Sequence, residues 1–533
     1  MKRIIPLVVV CVCLSAAHAQ LACAAATGQA AGRITDSGGL ALGGAAVKFD
    51  ARFRGMRITV FTQADGAFTA ELPAGAYQVT AELRGYLDQT REGFAIIAAQ
   101  STEMNMALDP AQNGFDLESQ ISGAELLSLL PPDARQTLIN TCAGGCHSLG
   151  AVGGKRMTLS GWTRLLERMS THGSGRGGPA DLARNAAILA EYFGSGQASY
   201  EFDFFPLTNS ADHLSKLVVR EIDLPRRETQ PHDMVVDASG RRIWYGDSAS
   251  GDVLKTGLWG WIDPETGAFK EYQIAGCVGT GKPLADSDGS VWMGCGKTWA
   301  RWDPDTDEQT LYPVDAPHGA IGLGTLDSQG NLYTPVPYWG SDPQGSDYIA
   351  GYNPRTKEST LWEVPTRRSM PYEVLADSRD ILWFTEFTAD KLAKLDPKTG
   401  KITEYPVPTK NSQPRRFAID SNDNIWFAEW TGNKLGKLEA QTGKITEYEL
   451  PNPYSLPYAV AIDRNDIVYF IEFGANRLAR FDPQTKTLRE YPIPSVISGV
   501  KKMDFTYSDD GQVTVWGSYR AGEKIVGFDI PDE

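Results

Sequence analysis

The chain has 533 residues, 42% of them hydrophobic, and carries 66 acidic against 51 basic side chains for a formal net charge of −15. That length calls for several domains. The acidic balance excludes a nucleic-acid footprint and disfavours long-chain anionic partners.

Met1-Lys2-Arg3, the apolar run from Ile4 to Ala16 and Ala17-His18-Ala19 read as a secretory signal peptide over residues 1–19, cleaved after Ala19. The run is too short to span a membrane. A soluble periplasmic bacterial protein with no transmembrane segment in the mature chain is therefore expected. Cys23 follows Leu21-Ala22 as in a lipoprotein anchor, but Gln20 stands where an aliphatic residue is wanted.

Residues 28–110 alternate in short strands separated by turns at Asp36-Ser37-Gly38-Gly39, Ala64-Asp65-Gly66 and Pro73-Ala74-Gly75. With Gly32-Arg33-Ile34-Thr35-Asp36, Leu72-Pro73-Ala74-Gly75-Ala76-Tyr77 and Gly85-Tyr86, the segment resembles the carboxypeptidase regulatory-like domain family. That resemblance implies an Ig- or transthyretin-like β-sandwich without catalytic residues, serving adhesion or spacing.

Residues 115–196 centre on Cys142-Ala143-Gly144-Gly145-Cys146-His147. Covalent haem usually uses C-x-x-C-H, two thiols forming thioethers and the His ligating iron. Here the spacer is three residues, and Gly144 and Gly145 permit the unusual φ that an extra residue needs. The competing reading is a small disulfide hairpin between Cys142 and Cys146. A helix before the cysteines, a second over Gly161–Met169 and a third from about Pro179 to Phe193 give an order that resembles a small class I cytochrome c. The resemblance implies one covalent haem c held by Cys142, Cys146 and His147. Met169 is the expected sixth ligand, with His172 and then Met157 as rivals, and Arg156 is a candidate propionate contact.

From residue 214 to the end an aromatic recurs at Trp244, Trp292, Tyr333, Trp383, Trp426, Tyr469 and Trp516, spaced 41 to 50 residues apart. That period suits four-stranded propeller blades. Seven aromatics predict seven blades, and Arg220-Glu221-Ile222-Asp223-Leu224-Pro225, which matches the blade endings, predicts that an early strand closes the ring. Trp383-Phe384-Thr385-Glu386, Trp426-Phe427-Ala428-Glu429 and Asn433-Lys434-Leu435-Gly436-Lys437-Leu438 resemble the virginiamycin B (streptogramin) lyase-like propellers. The whole is thus predicted to be multidomain and mainly β: a sandwich, a small α-helical cytochrome c domain and a seven-bladed β-propeller over 214–533.

In that lyase family two His on neighbouring blades follow an inner-strand Pro, one of them within Glu-Pro. Here the equivalent positions read Pro231-His232, Pro283-Leu284, Pro317-His318, Pro371-Tyr372, Pro414-Arg415 and Pro457-Tyr458, with Lys501 near the same place in the seventh blade. The dyad does not carry over, because Leu284 separates the two His. His232, His318, Tyr372, Arg415, Tyr458 and Lys501 should nevertheless converge on the axial mouth. They offer a proton acceptor, phenolic donors and cations for a small organic substrate or a carboxylate. Asp247, Glu386, Glu429 and Glu472 recur three residues after the blade aromatic, where the resemblance allows a divalent cation such as magnesium and the repeat favours hydrogen bonds from neighbouring loops. Cys277 and Cys295 bracket the second blade's inner hairpin and are expected to form a disulfide.

Together these features lead to the expectation of a periplasmic haem c oxidoreductase, in which the propeller binds substrate and the haem passes electrons to a soluble cytochrome or terminal oxidase. No quinone motif is recognisable, although two-electron oxidation would want one. The alternatives are a streptogramin lyase-like C–O lyase or hydrolase with an accessory haem, and a ligand-binding redox sensor.

Overall fold

Strict alternation builds the first unit. In Ala67–Pro73 the side chains of Phe68, Ala70 and Leu72 are buried while their neighbours face out, and this strand pairs antiparallel with Thr27–Asp36. The short strands Ser101–Glu103 and Met106–Leu108 lie parallel on the other edge of Thr27–Asp36. A side chain at Gly32 would strike the Met104 carbonyl, so this position needs glycine. The facing sheet runs Met56–Phe61, Ala46–Ala51, Gly75–Glu82, Gln89–Ile96. Phe49 sits between the two layers, its ring centroid 6.3 to 6.4 Å from those of Phe68, Tyr77 and Phe94. The computed structural model describes residues 26–51, 55–143, 149–170, 179–227, 229–248, 257–277, 279–314, 322–338, 345–496, 498–520 and 522–531.

Seven four-stranded antiparallel blades follow. The first is Pro231–Val236, Ile243–Asp247, Leu258–Ile262 and Phe269–Gln273. In the first six blades every residue of the second strand is buried, which is why these strands read as continuous apolar runs rather than alternating ones. The repeating aromatic lies on this strand. In several blades it reaches back to the aspartate of the preceding turn: Trp383 and Trp426 donate their indole N–H to Asp377 and Asp420 at 3.0 and 3.1 Å, and Tyr333 donates its hydroxyl to Asp327 at 3.0 Å. Neighbouring blades are bolted at the same turns, Ser328, Ser378 and Ser421 donating backbone N–H to Asp380, Asp423 and Asp466 at 2.8 to 3.0 Å.

Val218–Asp223 completes the seventh blade beside Lys524–Asp529, so the ring closes with an early strand. Its free edge does not face solvent. Met56–Phe61 of the sandwich pairs with it antiparallel from Met56↔Ile222 to Val60↔Val218, and one eight-stranded sheet runs from the propeller into the sandwich. That shared strand hides what would otherwise be an exposed edge.

Between sandwich and propeller lie short helices: Gly114–Glu118, Gly123–Ser128, Pro132–Leu138, then a π-turn at Ile139–Ala143, and the longer Leu159–Ser170 and Pro179–Tyr192. Buried Glu125 organises the junction. It closes a capping box with Ser122, accepts from Arg84 of the sandwich at 2.8 Å and from the Phe205 N–H at 2.6 Å. The expected cytochrome c domain is not evident here as a separate unit. Leu159–Ser170 packs on Pro179–Tyr192, Trp162 donating its indole N–H to the Phe193 carbonyl at 3.2 Å, and Leu126, Leu127, Leu138 and Trp162 belong to an apolar cluster that continues into Trp430, Leu456, Tyr458 and Phe473 of the propeller. The Ala124 N–H donates to the Gly474 carbonyl at 2.8 Å, and Arg135 bonds the Tyr454 hydroxyl, which places the helices on the loop face of the sixth blade.

Candidate functional site at the propeller mouth

Each inner strand begins at the mouth, and in five blades its register slips directly after the first residue: after Pro231, Pro371, Pro414, Pro457 and Val500. Such bulges re-aim side chains. Bulge positions supply His232, Tyr372, Arg415, Tyr458 and Lys501, together with Asp233, Glu373, Arg416 and Lys502.

The upper set forms an aromatic box around cations. Arg415, 1% exposed, has its guanidinium carbon 4.1 Å from the Tyr458 ring centroid, 4.5 Å from Trp430 and 5.2 Å from both Tyr372 and Phe387. Lys501 lies 4.4 Å from Tyr458 and 4.6 Å from Phe473. The Tyr372 and Tyr458 hydroxyls bond each other, and burial pushes the Tyr458 phenol up to about 12 against the opposing pull of Arg415. His232 stands beside Asp233, Nδ1 to Oδ2 at 2.5 Å. Burial holds the His232 imidazole down at about 3, overriding the stabilising charge of Asp233, so the ring is neutral.

The lower set is an ionic layer in which Arg416, Lys282 and Lys502 share the two acids Asp233 and Glu373. Arg416 pairs with Asp233 at 2.8 Å and with Glu373 at 3.3 Å, and Lys282 pairs with Glu373 at 3.2 Å. Burial pulls Lys282 down to about 8, with Lys502 adding to the effect. The layer connects His232 to Tyr458, because Arg416 lies 5.8 Å from the Tyr458 ring centroid.

Sequence reasoning brought His232, Tyr372, Arg415, Tyr458 and Lys501 to one end of the ring but missed the lower layer and the loop aromatics. Their signals were in view. Charged residues directly follow the mouth positions, and Phe387, Trp430 and Phe473 each follow a repeating glutamate. His318, Cys146, His147 and His172 lie outside the described residues, as does the side chain of Met169. Cys142 is half-buried against the cluster shared with the propeller, and Met157 packs there too. Arg156, expected near a haem propionate, is engaged by the Glu118 carboxylate and lies over the Phe115 and Phe193 rings. Cys277 and Cys295 form a disulfide.

Of the recurrent carboxylates, Asp247 accepts from the Gln230 N–H at 3.1 Å and pairs with Arg226 at 2.9 Å. The Glu386, Glu429 and Glu472 carboxyl groups are buried at the strand ends, with the loop serines Ser369 and Ser455 beside Glu386 and Glu472. Burial, reinforced by Glu404 and Glu447, pushes Glu386 and Glu429 up to about 8. Among the described residues no group of three or more His, Cys, Asp or Glu gathers in a way that could hold a metal ion.

Residues 284–531 match the Virginiamycin B lyase family, and residues 29–109 match the Carboxypeptidase regulatory-like domain. Among solved structures, a streptogramin B lyase is 22% identical with a TM-score of 0.50 over 58% of this chain and 97% of its own. Virginiamycin B lyase from Staphylococcus aureus is 23% identical with a TM-score of 0.51 over 59% of this chain and all of its own. A catalytically inactive form of that enzyme with quinupristin, also 23% identical, gives 0.50 over the same shares. No curated protein matches. At these identities the solved structures establish the fold. The chain therefore carries a virginiamycin B lyase-like β-propeller fused to a carboxypeptidase regulatory-like domain.

Proposed function

We propose that the propeller mouth catalyses an acid–base C–O cleavage, as a lyase, on a small organic ester or lactone. The observation that carries this reading is the contact of the His232 imidazole with buried Asp233, Nδ1 to Oδ2 at 2.5 Å, within the same ionic layer that reaches Tyr458. A carboxylate that fixes one ring nitrogen leaves the other to accept a proton. In an elimination, His232 takes a proton from the carbon next to the substrate carbonyl. The freed electron pair forms the C=C bond, the C–O bond breaks, and the oxygen leaves as a carboxylate. Tyr372 and Tyr458, as hydrogen-bonded phenols, orient the carbonyl. The reaction class is supported by the family matched over residues 284–531, whereas Leu284, standing on the blade next to His232 where that family has a second His, argues against the same substrate geometry.

The test is turnover of quinupristin and of simple β-acyloxy esters, followed as formation of the conjugated alkene. We expect activity on at least one, and a kcat lower by roughly 10²–10⁴-fold in His232→Gln, the range a positioned base contributes. Undiminished turnover in that variant would remove His232 from the mechanism.

The position of Cys142 favours a second reading, a haem c-linked oxidoreductase that passes electrons to a soluble periplasmic cytochrome. Cys142 lies in the π-turn and packs against an apolar cluster that includes Leu138, Leu149 and Trp162. Cys142, Cys146 and His147 would hold the group, with Met169 as sixth ligand, and it would supply one-electron chemistry. Protein exported from a host with cytochrome c maturation should keep its visible band through acid–acetone extraction; colourless protein from that host ends this reading.

A further inference from the structure

We propose that Arg415 is the receptor for a carboxylate at the propeller mouth, the anion that the C–O cleavage releases. This rests on the acid–base reading of the same site. Arg415 is 1% exposed, and its Nε, Nη1 and Nη2 are buried without a hydrogen-bond partner among the described residues. Four rings surround it at 4.1 to 5.2 Å. Ring faces stabilise a cation but do not satisfy the five N–H donors that lie in the guanidinium plane.

The acids nearby are already committed. Asp233 serves His232 and Arg416, and Glu373 serves Arg416 and Lys282. A buried cation without a counter-charge is strongly unfavourable, and the fork of an arginine matches a carboxylate through two parallel hydrogen bonds. The rings select an acid with an apolar or aromatic body. Two sources share this chemistry: a free carboxylic acid, or a propionate of a haem tethered at Cys142, whose side chain packs on the cluster that holds Trp430 and Tyr458.

The experiment uses the full chain, produced with and without cytochrome c maturation, titrated with benzoate and with uncharged benzamide. Calorimetry and tryptophan fluorescence report binding, since Trp430 lies 4.5 Å from the guanidinium carbon. Haem-free wild type should bind benzoate saturably and not benzamide, with at least tenfold weaker binding in Arg415→Gln. Arg415→Lys, which keeps the charge and loses the fork, should fall between them, and circular dichroism checks that both variants fold. Benzoate binding that survives in haem-loaded protein assigns the site to a free acid; its loss there assigns the site to the propionate. No benzoate binding by haem-free wild type, or equal affinity in Arg415→Gln, overturns the proposal. His232→Gln separates the two ideas. If it turns over substrate normally while Arg415→Gln loses benzoate, the acid–base reading fails and the carboxylate receptor stands.

Discussion

Glu386 and Glu429 show how a repeated residue acquires an unusual property. Each ends the second strand of its blade, fully buried, with Glu404 or Glu447 nearby, and burial makes the protonated form the favoured one. Because the folded-state value, about 8, lies above that of an unfolded glutamate, the folded chain binds more protons between the two values. Stability is then fully present near pH 4.5 and falls as pH rises through about 8. Glu386→Gln should accordingly gain on the wild type by about 1 kcal/mol or more between pH 6 and pH 9, measured by urea unfolding at both. An identical difference at the two pH values would mean that Glu386 ionises normally. The repeat of this glutamate was plain in the sequence, and so were the mouth residues after each inner-strand proline. What a linear pattern could not convey is pairing across the ring: nothing in the spacing of Asp233, Glu373 and Arg416 says that two other blades bring their carboxylates within 3.3 Å of the Arg416 guanidinium.

Blades were the most legible elements, for a physical reason. Each repeats one arrangement, an aspartate turn followed by a buried aromatic strand, and Trp383 bonding Asp377 is the contact that the repeated letters record. The helices were less legible. Their periodicity located Leu159–Ser170, yet an apolar face does not announce its partners, and the cluster that these helices build among themselves continues into Trp430 and Phe473 of the propeller. The second blade has its own reinforcement. Cys277, in the loop before the inner strand, is joined to Cys295 at the end of the second strand, a separation of 18 residues. Closing a loop of that size stabilises by about 3 kcal/mol in the chain-entropy account. Replacing both cysteines with serine should therefore lower the unfolding free energy by about that amount, and denaturant titration of the oxidised wild type against the variant checks it. No change would show that the hairpin is held by its strands alone.

At the scale of the whole molecule, the sandwich and propeller are joined through Val218–Asp223, which hydrogen-bonds Lys524–Asp529 on one side and Met56–Phe61 on the other. No composition shift or linker signal foretells this, because each strand alone is an ordinary alternating segment. Deleting residues 26–110 should bare the Val218–Asp223 edge and give dimers or aggregates by size-exclusion chromatography with light scattering; a monomeric deletion product would show that the edge is otherwise covered. The shared sheet has a further consequence for the helices on the sixth blade. The chain leaves the sandwich after Leu108 and re-enters the same fused β-structure at Val218, so residues 109–217 are a loop anchored at both ends. A lid tethered at one end can swing away and wander. A handle fixed at both ends keeps Ala124 and Arg135 at a high effective concentration beside the sixth-blade loops they bond, so a broken contact re-forms without any partner to escort it back.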